Sequence, residues 1–290
     1  MGSEGPRLAI LADIHGNLPA LEVVLADLAG FGVDHIVVAG DVVNWGPFSR
    51  EVIELVAGSG WPVIRGNNEF YLLDYGTPRA PAAWSDRQQY ALLPWLFGQL
   101  GERWRRVVAT WPDTLSLRYP AAPPLRIAHG TPSSAWATIF ADDPDEQVIA
   151  QVGALPEDWL IVGHTHLPFD RTVGRVRILN PGSVGVPLDG TFSASYVILD
   201  GTPTGWRPTF RRVPFDRQAI FAEFDRQGFL AACGVIGQLV LAEFRTARIQ
   251  LYPFAHWRQA CHPNEPPSPE LLAGFTEAER LRFTPRPYLP

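Results

Sequence analysis

The stretch Leu8-Ala9-Ile10-Leu11-Ala12-Asp13-Ile14-His15-Gly16-Asn17-Leu18-Pro19-Ala20-Leu21 decides how the rest of this chain is read. Its first five residues are all apolar, which fits a short strand covered on both faces. The run stops at Asp13, and a polar Asp-x-His follows. Pro19 then sits in the first turn of a helix expected to reach about Leu28, with Asn17 as a helix-start residue and Gly30 and Gly32 beyond the far end. In an extended segment residues i and i+2 face the same way, so Asp13 and His15 are expected to bind one cation together.

The pattern of an apolar run that ends in a ligand-type residue recurs along the chain. His35 to Ala39 leads to Gly40-Asp41, where one carboxylate can bridge two cations through its two oxygens. Pro62 to Ile64 reads as a third strand and ends at Gly66-Asn67-Asn68-Glu69, where an Asn carbonyl oxygen is a neutral hard ligand and Glu69 a helix-start residue. Leu125 to Ala128 precedes His129-Gly130, and Trp159 to Val162 precedes Gly163-His164-Thr165-His166. Taken singly, each motif has an ordinary reading as a turn, a cap or a solvated histidine. Four of the seven histidines at strand ends, among matching Asp and Asn, make a set. Asp13, His15, Asp41, Asn67, His129, His164 and His166 suffice for two divalent ions side by side. Such a pair activates water and clamps phosphate oxygens, so phosphoester hydrolysis is the expected chemistry.

Between these motifs, helices are expected over Ser49 to Ala57, from a capping box at Ser85 to Gln88 as far as Gln99, over Glu102 to Ala109, and from Asp143-Pro144-Asp145-Glu146 onward. Thr114 to Arg118 and Leu125 to Ala128 read as a hairpin across Pro120 to Pro124. After Val162 the pattern is β only: Phe169 to Val173, Val176 to Leu179, Ser195 to Leu199 and Trp206 to Val213. A β-α-β start with a β continuation predicts two packed sheets flanked by helices, with ligands gathered at strand ends. From Phe215 the character changes. Arg217 to Gln227 and Leu230 to Arg245 look helical, and Pro263 to Pro290 is Pro-rich without periodicity. The expected division is therefore a domain over residues 1–214 and a helical extension with a Pro-rich tail over 215–290, packing on that domain.

Composition narrows the field. The net charge of −6 argues against non-specific nucleic-acid binding, which needs a basic stripe. All 24 basic residues are arginine, so a P-loop, a protein-kinase site and a pyridoxal Schiff base are excluded. Cys233 and Cys261 form no CxxC pair and are expected to be reduced thiols. Met1 to Pro6 lacks a signal-peptide pattern, and the apolar stretch from Phe229 to Ala242 reads as too short and interrupted to span a bilayer. No membrane association and a cytoplasmic location are the expectation. Pro181-Gly182-Ser183-Val184-Gly185 lacks the first glycine of a nucleophile elbow, which removes a serine hydrolase built on Ser183.

The ordered motifs Asp-x-His, Gly-Asp, Gly-Asn-x-Glu, His and Gly-His-x-His resemble the calcineurin-like metallophosphoesterases over residues 8 to 166. The wording around Asp13 to Leu21 and Asn180 to Val184 is similar to a small bacterial branch containing simple phosphodiesterases, and the resemblance reaches about Val213. It implies an α/β, four-layer αββα sandwich of two mixed sheets. It also implies that Asp13, His15, Asp41 and His166 hold one metal, and Asp41, Asn67, His129 and His164 a second, with Asp41 bridging. The metals implied are manganese, iron or zinc, and the ligand set does not choose among them. The implied activity is phosphodiester hydrolysis by in-line attack of a hydroxide held between the ions. Alternatives are hydrolysis of dinucleoside polyphosphates or nucleotides, a protein phosphatase, or a non-catalytic metal-binding scaffold on the same fold.

One position departs from the pattern. Asn68 stands where the family commonly has a histidine thought to contact the phosphoryl group or protonate the leaving oxygen. Asparagine donates a hydrogen bond but no proton near neutral pH. Loss of acid help is expected to slow esters with poor leaving groups by roughly 100- to 10,000-fold. Arg65 is a candidate phosphate clamp, with a surface salt bridge as the competing role. Trp45, Tyr71 and Trp136 are placed either to stack a base or to pack the rim. His35, His256 and His262 are expected away from the metals. A small phosphoester is the expected partner, and assembly of like chains is left open.

Overall fold

The computed structural model describes residues 5–289. Residues 1–4, part of the segment read as lacking a signal peptide, and Pro290 of the tail lie outside the described residues. The strands are β1 (Arg7–Leu11), β2 (His35–Val38), β3 (Thr114–Leu117), β4 (Leu125–Ala128), β5 (Trp159–Ile161), β6 (Phe169–Val173), β7 (Val176–Asn180), β8 (Ser193–Thr202) and β9 (Gly205–Pro214). The helices are α1 (Leu18–Leu28), α2 (Ser49–Gly58), α3 (Asn67–Asp74), α4 (Leu92–Val108), α5 (Asp145–Val152), α6 (Gln218–Arg226), α7 (Phe229–Thr246), α8 (Leu251–Cys261), α9 (Pro269–Gly274) and α10 (Glu277–Phe283). One sheet runs β2-β1-β8-β9 and the other β3-β4-β5-β7-β6. Both are mixed: β1 pairs parallel with β2 and antiparallel with β8, while β4, β5 and β7 are parallel and β3 and β6 antiparallel.

The side chains of β1 explain the layering. Leu8 and Ile10 join Val37, Ile127, Ile161, Leu179, Val197 and Leu199 in the core between the sheets. Ala9 and Leu11 point the other way, into a core with Leu21, Val24, Val52 and Ile53 of α1 and α2. On the far side of the second sheet, Leu160 and Ile178 meet Val148 and Val152 of α5. Alternate residues of one apolar strand thus feed two cores, which is why β1 carries no polar face. The expected αββα sandwich is the fold.

Several local expectations change. Pro62 to Ile64 makes only a single parallel bridge, Val38 to Val63; Pro62 has no N–H with which to extend a ladder. No capping box forms at Ser85. Its hydroxyl donates to Ala82 O, and Asp86 Oδ1 accepts from Gln88 N and Gln89 N in a turn before α4 begins at Leu92. The two helices expected on either side of Gly101 are one element broken at that glycine, whose φ of 62° leaves the helical region.

The extension is more ordered than its proline content suggested. Helix α8 was not expected, and two short helices occupy the tail: Ser268 caps α9 by accepting from Leu271 N, and Thr276 caps α10 by accepting from Glu279 N. Helix α7 has 18 residues with mean hydropathy 1.4, apolar enough by composition to cross a membrane, but it is broken at Gly234, whose φ of 53° leaves the helical region, so the stretch is interrupted as expected. In this structure it is the spine of another core. Phe229, Cys233, Ile236, Leu239, Val240 and Phe244 pack with Phe254 and Trp257 of α8 and with Val186 and Leu188 from the loop behind the ligand motifs. Cys233 and Cys261 are both free thiols.

Candidate active site

Six of the seven expected ligands follow the carboxyl end of a parallel strand. Asp13 and His15 follow β1, Asp41 follows β2, His129 follows β4, and His164 and His166 follow β5. Two sheets packed face to face bring those four carboxyl ends together. Asn67 opens α3 after the Gly66 turn.

The backbone there does not follow the extended geometry on which pairing of Asp13 with His15 was argued. Asp13, His15, Asp41, His164 and His166 all have positive φ, between 48° and 67°, as do the neighbouring Asn44 and Trp45. Nine non-glycine residues have positive φ in the described chain, and five are expected ligands. Left-handed backbone folds each loop sharply back over the strand ends and aims both side chains inward. Hydrogen bonds from Asp13 N to Gly40 O, His15 N to Asp41 O and Gly16 N to Val42 O zip the first loop to the second.

Glu69 fixes the second loop. It is fully buried and accepts from Gly66 N, Asp41 N, Val42 N and, at 3.3 Å, Val43 N. Burial and nearby Asp41 push its carboxyl up to about 7, against the pull of these N–H groups. Gly66 is required for close approach: a Cβ there would lie 2.1 Å from Asp41 Oδ1.

The ligand atoms form two groups, Asp13 with His15 and His166, and Asp41 with His129 and His164, each set lying within 4.8 Å of one another. Asp41 Oδ2 is 3.5 Å from His15 Nε2 and 3.2 Å from His129 Nε2, so it lies between the groups. Asn67 Oδ1 is 3.1 Å from His129 Nε2, and His15 Nε2 is 3.0 Å from His166 Nε2.

The donor set suits cations. His129 Nδ1 bonds Ala39 O at 2.9 Å and His166 Nδ1 bonds Val186 O at 2.6 Å. A carbonyl can only accept, so these Nδ1 atoms carry hydrogen and the Nε2 atoms face the centre, as in metal-ligating histidines. Burial drives His15 and His164 down to about 4 and His166 below its ordinary value, so all three are neutral. Burial also opposes a charge on His129, but Asp41 and Asp13 outweigh it and lift the imidazole to about 10. Burial raises Asp13, whereas for Asp41 the desolvation is outweighed by His129 and His15, which hold its carboxyl well below the usual range. Among the described residues, ligand-type imidazoles are the ion-pair partners of these two buried carboxylates, an arrangement that suits metal cations.

A model of the calcineurin-like phosphoesterase superfamily domain matches residues 7–202. The chain belongs to the calcineurin-like phosphoesterase superfamily. Membership makes it a metal-dependent phosphoester hydrolase. Phosphodiesterase YfcE of Escherichia coli is 29% identical over 210 residues, covering 67% of this chain and 87% of the relative. The uncharacterized protein MJ0912 of Methanocaldococcus jannaschii is 27% identical over 226 residues, 67% of this chain and 82% of the relative. Among solved structures, a metallophosphoesterase from Sphaerobacter thermophilus aligns with TM-score 0.66 at 25% identity, covering 84% of this chain and 99% of its own.

Against the superfamily pattern, Asn68 is committed to support. Its N–H and side-chain Nδ2 donate to Asp41 Oδ1 and Oδ2 at 2.8 and 2.6 Å, and its Oδ1 accepts from Asn44 Nδ2 at 2.7 Å. Arg65 is engaged by Asp113 at 2.6 Å and packs over Phe70. Trp45 stacks on His15 with centroids 4.7 Å apart, and Tyr71 meets Trp136 edge to face at 5.0 Å. Asn17 caps α1. His35 stacks on Tyr119, His256 on Tyr252, and His262 pairs with Glu265.

Sequence reasoning missed the supports. Asn180 Nδ2 holds Gly163 O and Thr165 Oγ1, Ser183 Oγ donates to Asp13 O, and Tyr288 Oη reaches Thr165 O from the tail. The Asn180 to Val184 wording was visible, but its role depends on contacts far away in sequence.

Proposed function

We propose that this protein is a dinuclear phosphodiesterase favouring esters with acidic leaving groups. The observation that carries it is Asp41, a member of the second group of ligand atoms whose Oδ2 also stands 3.5 Å from His15 Nε2 of the first. Asp13, His15, Asp41 and His166 would hold one ion, and Asp41, Asn67, His129 and His164 the other. When bound, two adjacent ions supply an activated water and neutralise charge on the phosphoryl oxygens. The name of the Escherichia coli relative, a phosphodiesterase, supports the substrate class.

The chain's own contribution is orientation and desolvation. Backbone carbonyls fix the imidazoles of His129 and His166, Glu69 fixes the loop that carries Asp41, and Trp45 covers His15. Asn68 delivers no proton, so the leaving oxygen departs as an anion or with a proton from solvent, and acidity of the leaving alcohol governs rate.

The test is hydrolysis of bis(p-nitrophenyl) phosphate and p-nitrophenyl phosphate by protein reconstituted with manganese, iron or zinc, with bound metal counted. The diester is expected to turn over with two ions per chain. Substitution of residues that only orient metal ligands costs about 10- to 100-fold, so Asp41→Asn is expected to lose more than that. No turnover of either ester with two ions bound would overturn the assignment.

A further inference from the structure

A cavity of about 270 Å³ opens beside the ligand cluster, and its floor includes Asn67 and Asn68. One wall is built from the superfamily domain: Trp45, Tyr71 and Tyr90. The opposite wall is built from the extension, where Tyr252, Ala255 and Arg258 line the space. These three stand at i, i+3 and i+6 of α8, so they share one face of the helix. Phe254 and Trp257 are buried in the core shared with α7, Phe254 also bordering the cavity. Helix α8 is therefore anchored by one side and offers the other to the cavity. Tyr252 is 44% exposed, and its ring is backed by His256 at 3.8 Å.

We infer that this cavity is the subsite for an aromatic ester group of the substrate, with Tyr252, Ala255 and Arg258 of the extension as its specificity-determining wall. The inference rests on the phosphodiesterase reading only for what anchors the phosphate. Three features select the class of group. The volume suits one small ring system. Aromatic rings stand on both walls, Trp45, Tyr71 and Tyr90 on one and Tyr252 and Phe254 on the other, and they favour stacking on another flat π-face over an alkyl chain. At the α8 end, Arg258 donates to Glu265 O and Gln89 Oε1, both neutral acceptors. Its positive charge is thus balanced by no carboxylate there, and it suits an electron-rich ring edge such as the carbonyl of a nucleobase. Asn67, an expected ligand beside His129, and Asn68, which holds Asp41, both line the cavity floor. A phosphoryl group at the metals would hence place its ester substituent against Trp45 and Tyr71.

The experiment compares equilibrium binding of phenyl phosphate, thymidine 5′-monophosphate and methyl phosphate to the manganese-loaded full chain by calorimetry. Turnover of bis(p-nitrophenyl) phosphate is followed in parallel. Base-aromatic stacking predicts phenyl phosphate and thymidine monophosphate tighter than methyl phosphate by about tenfold. Tyr252→Ala is expected to erase most of that preference. Ala255→Trp, an enlargement at an exposed helical position that fills the cavity, is expected to erase it without loss of thermal stability. An aryl preference near one in the wild type would overturn the subsite, as would a preference that survives both substitutions or binding of none of the three. An aryl preference that responds to the substitutions while the diester is not turned over would leave the subsite standing and remove the hydrolase reading instead.

Discussion

Asn68 gives both its backbone N–H and its side-chain amide to the two oxygens of Asp41, at 2.8 and 2.6 Å. The residue at the position usually associated with proton delivery is here a clamp on the carboxylate between the ligand groups. Its remaining oxygen is taken by Asn44. One Nδ2–H of Asn68 is thus spent on Asp41, and its amide carries no acidic proton to give to a departing alkoxide. Asn68→Ala is expected to weaken metal binding by about 10- to 100-fold, the usual cost of losing a group that orients a ligand. The dependence of rate on leaving-group pKa across aryl diesters is expected to keep its slope at saturating metal. A steeper slope in the variant would show that Asn68 does assist the leaving oxygen.

Gly66 tests the same loop sterically. Its φ of −100° suits any residue, so the demand for glycine comes from the approach of Asp41 Oδ1, 2.1 Å from where a Cβ would stand. Gly66→Ala is expected to displace Asp41 and remove bound metal while far-ultraviolet dichroism stays near that of the wild type. Two ions per chain retained in Gly66→Ala would refute this account.

Glu243 gives a pH dependence outside the ligand cluster. It is buried in α7, its Oε1 accepts from Gln250 N and Leu251 N at the start of α8, and its Oε2 has no hydrogen-bond partner. Burial raises its carboxyl from 4.5 to about 7, against those two N–H groups. Between those values the folded chain keeps a proton that the unfolded chain has released. Stability from this group is therefore full below about pH 4.5 and is lost as pH rises through about 7, by about 3 kcal/mol in all. Glu243→Gln keeps an acceptor for both N–H groups and does not titrate. In a comparison of urea unfolding from pH 5 to 8, the difference in stability between variant and wild type should grow with pH in favour of the variant. A constant difference would refute it.

The ligands were legible because a strand end is marked in one dimension. An apolar run such as Leu8 to Ala12 stops, and the next polar residue must lie at the rim of the sheet. Chemistry-bearing types at five such stops then leave little freedom. What was illegible depends on contacts between distant segments. Nothing local in Asn44, Asn180 or Ser183 says that they hold Asn68, Gly163 and Asp13. The Pro62 to Ile64 strand failed because apolarity was read without the missing N–H of Pro62. Helix α8 was passed over because its apolar residues divide between the core and the cavity, which blurs the helical period. Asp13 and His15 do come together in one group, but left-handed backbone aims them rather than alternation along a strand.

The left-handed turns carry a consequence for how this protein can change. Each costs on the order of 1 kcal/mol for a residue with a side chain, and glycine would relieve it. Five such turns sit under side chains of the two candidate metal groups. Drift toward greater robustness therefore runs against retention of the catalytic centre: freed of selection for activity, this chain would gain stability by discarding the very residues that mark it.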